Sequence, residues 1–118
     1  MRQLEIVTRH IVGRPTMLEK NMASVQAMDG NWRQALIPDE DNRGVAWANG
    51  QMRTYMPAGD YVWMLDDDDE AACTHLPRCI DVLADLYEPD MIIVKMNHGA
   101  PLGVLPTEGD WQARRLPP

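Results

Sequence analysis

Tyr61-Val62-Trp63-Met64-Leu65-Asp66-Asp67-Asp68-Asp69 joins five apolar residues directly to four consecutive aspartates. The apolar half does not alternate with polar residues, which is the pattern of a strand covered on both faces in a parallel sheet. Working outward, Leu4-Glu5-Ile6-Val7-Thr8 is a short strand rich in β-branched residues, and Ala35-Leu36-Ile37 is another, stopped by Pro38. Met91-Ile92-Ile93-Val94 reads as a further fully apolar strand. Helical spacing fills the gaps. Pro15 suits the first turn of a helix reaching about Met28, with Leu18, Met22, Val25 and Met28 on one face. A weaker helical pattern runs from Val45 to about Tyr55. Thr74 is placed to cap a third helix ending near Tyr87, with Leu76, Cys79, Ile80, Leu83 and Tyr87 as its buried stripe. Strands alternating with helices predict right-handed β-α-β units, and hence a three-layer α/β/α domain with a mainly parallel sheet.

The bulk numbers bound the class. A chain of 118 residues is one domain by size, here residues 1–118 with a Gly- and Pro-rich tail over 97–118. No apolar run approaches the roughly 20 residues that span a bilayer, and the N-terminus lacks a leader-like apolar segment. The expected location is therefore the cytoplasm. Cys73 and Cys79 are too few for a disulfide framework and read as reduced packing residues on a helix. A net charge of −7 argues against nucleic-acid binding, which needs a basic face. Four of those negative charges lie in the aspartate run, so the imbalance is largely local.

Adjacent carboxylates repel one another, by on the order of 1 kcal/mol per pair at 4 Å in water and several times that at a half-buried rim. A hard divalent cation, Mg²⁺ or Mn²⁺, is the natural compensator, since it takes carboxylate oxygens and keeps positions open for phosphates. Extended backbone places residues i and i+2 on one side, so Asp66 can share an ion with Asp68, and Asp67 with Asp69. The bland alternative is a solvated turn or an acidic helix start. Position decides between them. In parallel α/β sheets ligands bind beyond the carboxyl ends of the strands, and Asp39 and Asp66 to Asp69 both follow strand ends.

Taken in order, Ile6-Val7-Thr8-Arg9-His10, Gly13-Arg14-Pro15, Gly44-Val45-Ala46-Trp47-Ala48-Asn49 and Gly59-Asp60-Tyr61 leading into the acidic run resemble the family-two glycosyltransferases of the GT-A fold. The resemblance covers about residues 4 to 96. It implies a metal-dependent transferase that binds a nucleotide-diphospho-sugar, such as a UDP-sugar, and passes the sugar to an acceptor that the sequence does not name. By resemblance, Asp66 and Asp68 form the Asp-x-Asp metal pair, while Thr8, His10, Asp39 and Asp67 lie near the nucleoside. Two departures stand out. Only Glu40 to Arg43 separate Asp39 from the Gly-rich helix, where the family has a further helix and strand; the shortened sheet leaves an edge that a homodimer could cover. The family's catalytic base lies in a later segment, and here Glu108 and Asp110 are the only acids after Asp90. No catalytic base is identified, and the alternative is a truncated nucleotide- and metal-binding module lacking the acceptor half. His98 is a further candidate ligand beyond the last strand.

Overall fold

Strand β1 (Leu4–Ile11) is the axis of a parallel sheet, flanked by β2 (Trp32–Asp39) and β3 (Tyr61–Met64) in the order β2-β1-β3. These elements come from a computed structural model that describes residues 1–55, 58–97, 99–101 and 103–105. Pairing with β2 runs from Leu4 opposite Trp32 to Ile11 opposite Asp39, whereas pairing with β3 ends at Val7 opposite Met64. The chain after β3 stays attached to β1 all the same. The Leu65 N–H donates to the Val7 carbonyl at 3.0 Å and that of Asp67 to Arg9 at 3.2 Å. The first aspartates are therefore held beside the last turn of a strand that outruns their own.

Alternation along β1 sends Leu4, Ile6 and Thr8 to one face and Glu5, Val7 and Arg9 to the other, and all six are buried. Helix α1 (Pro15–Gln26) is tied to the first face through buried Asn21. The Gln34 amide donates both to the Thr8 hydroxyl at 2.9 Å and to the Asn21 side-chain carbonyl at 2.8 Å. On the second face Glu5 is fully enclosed, paired with Arg33 and accepting from the Ala58 N–H at 3.0 Å. Helix α2 (Val45–Tyr55) begins where the chain turns back after β2, through left-handed Asn42 and Gly44. Helix α3 (Leu76–Tyr87) buries Pro77, Ile80 and Ala84 and ends on left-handed Glu88. The chain divides into two compact units at Glu88-Pro89; the second contains a short antiparallel pair, β4 (Met96–Asn97) and β5 (Val104–Leu105).

Several elements depart from the sequence reading. Strand β2 starts three residues earlier than Ala35, because polar Arg33 and Gln34 sit on a sheet edge where polarity is tolerated; Pro38 is accommodated there for the same reason. Met91 to Val94 is not a strand, and Met91 and Ile93 are exposed. An apolar run becomes a strand only where a neighbour pairs with it. Helix α3 is capped at His75 without a side-chain bond, while the Thr74 carbonyl instead accepts from the Asp29 N–H at 2.7 Å. Its expected stripe is displaced: Cys79, Leu83 and Tyr87 are exposed, and Tyr87 keeps 73% of its surface. Close packing against Gly30, where an added Cβ would lie 3.0 Å from Pro77 Cβ, selects the face bearing Pro77 and Ala84. Cys73 is likewise exposed, so neither cysteine is a packing residue. No helix among the described residues is long and apolar enough to cross a membrane.

Two glycines offer a matched test of this packing. A Cβ at Gly59 would lie 2.6 Å from Glu5 Cβ, whereas one at Gly50, inside α2, meets nothing within 4 Å. Gly59→Ala should destabilise the fold by about 1–3 kcal/mol. Gly50→Ala should stabilise it by up to about 1 kcal/mol. Urea unfolding of the two variants beside the parent checks both signs.

Candidate metal and nucleotide site

Five aspartates and two arginines meet at the carboxyl end of the β2-β1-β3 sheet, and burial sorts them. Asp39, the last residue of β2, is fully buried. Its carboxylate accepts from Arg9 Nε at 2.9 Å and from the backbone N–H groups of Arg43 and Gly44 at 2.7 and 3.0 Å. It thus ties the centre of the sheet to the turn that starts α2. Burial pushes this carboxyl up, but the two backbone donors and the Arg9 guanidinium outweigh burial and hold it below its ordinary value. Arg9 also donates to the Asn42 side-chain oxygen at 3.0 Å.

Asp67 is the second buried acid, 1% exposed. It accepts from Arg14 at 2.6 Å and from the Ile11 N–H at 2.9 Å, and His10 Nδ1 lies 3.4 Å away. Asp66, Asp68 and Asp69 present ligand oxygens that all lie within 4.8 Å of one another. Among the described residues neither Asp66 nor Asp68 has an ion pair, because Arg9 and Arg14 make theirs with the two buried acids. Burial pushes the Asp66 carboxyl up, the neighbouring Asp68 and Asp67 carboxylates add to the rise, and Arg9 and Arg14 oppose it through space. A cluster of oxygen donors with surplus negative charge fits a hard divalent cation.

The turn carrying these acids is shaped from α1. Asn21 Nδ2 donates to the carbonyls of Asp66 and Asp69, both at 3.0 Å. Ser24 Oγ accepts from the Ala71 N–H at 2.9 Å, and the Asp69 N–H closes the turn onto the Asp66 carbonyl at 3.1 Å.

The residues expected from sequence fall into three groups. Asp66 and Asp68 come together at the rim, joined by Asp69. Asp39, Asp67 and Thr8 are buried with their oxygens already hydrogen-bonded inside the fold, and His10 is partly buried beside Asp67. Glu108, Asp110 and His98 lie outside the described residues. Arg9, Arg14 and Ser24 figured in the sequence resemblance without a role of their own, and Asn21 and Gln34 were not picked out by sequence. A signal existed for Asn21, since its spacing to Val25 and Met28 places it on the buried stripe of α1. Arg43 adds a stacked contact over Trp47, 5.5 Å from the ring centre.

No family model matches the chain, and no curated protein and no solved structure matches it.

The two shifted acids of the site, Asp39 and Asp66, predict opposite pH behaviour in the metal-free protein. A folded-state value below the unfolded one, about 3.9 for aspartate, means Asp39 contributes stability that is complete above that pH. The contribution is lost as pH falls through the folded value. Asp39→Asn should therefore lower the melting midpoint at neutral pH, and the deficit should shrink on acidification. Asp66 is raised, so its ionised form opposes folding at neutral pH. Asp66→Asn should raise the midpoint there, a gain that also vanishes as the carboxyl protonates. Melting curves in chelator from about pH 3 to about pH 8 read both.

Proposed function

We propose that the carboxyl edge of this sheet holds a divalent cation through Asp66, Asp68 and Asp69, and with it the diphosphate of a nucleotide-diphospho-sugar, in a domain of the GT-A glycosyltransferase type. The observation that carries the reading is the convergence of three carboxylates at a strand end while the nearby guanidiniums of Arg9 and Arg14 are committed to Asp39 and Asp67. Position supports it as well. The sheet order reverses at β1, and in parallel sheets the crevice outside the strand ends at such a point takes the ligand.

A cation bound there would neutralise charge on a leaving nucleoside diphosphate. The protein's own contributions are clear-cut. Asn21 and Ser24 hold the turn in shape, Asp39 fixes the start of α2 beside the crevice, and His10 borders it on the β1 side. Transfer to an acceptor hydroxyl further requires a general base, for which Glu108 and Asp110 are the sequence candidates. A second reading, a binding module without transfer, is favoured by one observation. Thr8, Asp39 and Asp67 spend their oxygens inside the fold rather than keeping them for a ligand. A cytoplasmic location belongs to the proposal under either reading.

Calorimetric titration with uridine diphosphate and with UDP-glucose, each with and without Mn²⁺, tests the proposal. Nucleotide binding should require the metal, and Asp68→Ala should weaken Mn²⁺ binding by at least about tenfold. Metal-independent binding, or none, overturns it. Sugar release to water or to an added acceptor separates the transferase from the module.

A further inference from the structure

Asp67 sits in the middle of the acidic run and is unlike its neighbours in every measurable respect. It is 1% exposed, and its carboxylate already accepts from Arg14, Ile11 and, more distantly, His10. Burial together with these bonds keeps it from presenting its oxygens to a ligand at the rim. Its own N–H donates to the Arg9 carbonyl, so backbone and side chain both grip the end of β1 and the loop after it. Asp67 and Asp68 occupy the middle of the turn that the Asp69 N–H closes on the Asp66 carbonyl. With Asp67 pinned inward, it is Asp66, Asp68 and Asp69 whose carboxylates come together. Among the described residues the buried Nε of Arg14 has no hydrogen-bond partner, so Asp67 is the partner that its guanidinium bonds.

We propose that Arg14 and Asp67 form a positioning latch, not part of the ligand shell, which fixes the β1–α1 loop against the acidic turn and so sets the spacing of Asp66, Asp68 and Asp69. The proposal rests on the metal reading above. It also makes a prediction that simple electrostatics reverses. Arg14 acts on Asp66 through space as a cation. Were that its whole effect, removing its charge would make the cluster more negative and tighten Mn²⁺ binding. As a latch, Arg14 must instead be needed for binding.

The test uses the full chain with Arg14→Gln, Arg14→Lys and Asp67→Asn, each checked for an intact melting transition. In chelator, amide hydrogen exchange at Asp67 and Asp69 should speed up in Arg14→Gln and Asp67→Asn and stay near the parent rate in Arg14→Lys. Mn²⁺ titration should show a loss of about ten- to a hundredfold in affinity for Arg14→Gln, restored by Arg14→Lys. Should Asp67→Asn fail to fold, the two Arg14 variants decide. Unchanged exchange in Arg14→Gln overturns the latch whatever the metal does, as does Mn²⁺ binding equal to or tighter than the parent's. Faster exchange in Arg14→Gln combined with no Mn²⁺ binding by the parent overturns the metal reading, and with it the claim that the latch serves a ligand site.

Discussion

Strand β1 is buried from Leu4 to Arg9, and two of those six residues, Glu5 and Arg9, are charged. A central strand can enclose a charge only beside an opposite one with its remaining hydrogen bonds met. That requirement organises much of the structure. Glu5 draws in Arg33 and the Ala58 N–H, which brings the turn before β3 close enough that only glycine fits at position 59. Arg9 draws in Asp39, and Asp39 in turn receives the backbone of Arg43 and Gly44 and starts α2. Both ion pairs tie β2 to the centre of the sheet, while the turn before β3 is held to it by the Ala58 N–H hydrogen bond to Glu5.

The same economy explains why the rim carries surplus negative charge. Each arginine from the β1 end is taken up by one buried acid, Arg9 by Asp39 and Arg14 by Asp67. Asp66, at the surface cluster, feels those cations only through space. Burial and charge therefore divide five aspartates into two that build the fold and three that face outward.

Much of the frame was legible in the sequence, and the reasons are local. Pro15 and Pro77 lie at helix starts, Glu88-Pro89 at a stop, and Tyr61 to Met64 is an apolar strand, each as its chemistry suggests. The acidic turn was legible because charge directly after an apolar strand is rare without a purpose. What stayed hidden depends on partners distant in the chain. Met91 to Val94 has strand composition but pairs with no strand among the described residues, and α3 turned toward Gly30 rather than along its most apolar stripe. The roles of Thr8, Asp39 and Asp67 also escaped. Residue type cannot tell a carboxylate that waits for a ligand from one already held by an arginine from another element.

Asn21 grips the acidic turn by main-chain carbonyls, not by carboxylates. The shape of the turn and the chemistry of its outward side chains are therefore separable. Exchanging Asp68 or Asp69 for histidine would leave that grip in place while moving the donor set of the proposed site from hard oxygen toward nitrogen, which suits zinc, nickel or copper rather than magnesium or manganese. Under the proposed cation-binding reading, the scaffold would be a socket whose ion selectivity could be rewritten at one or two positions.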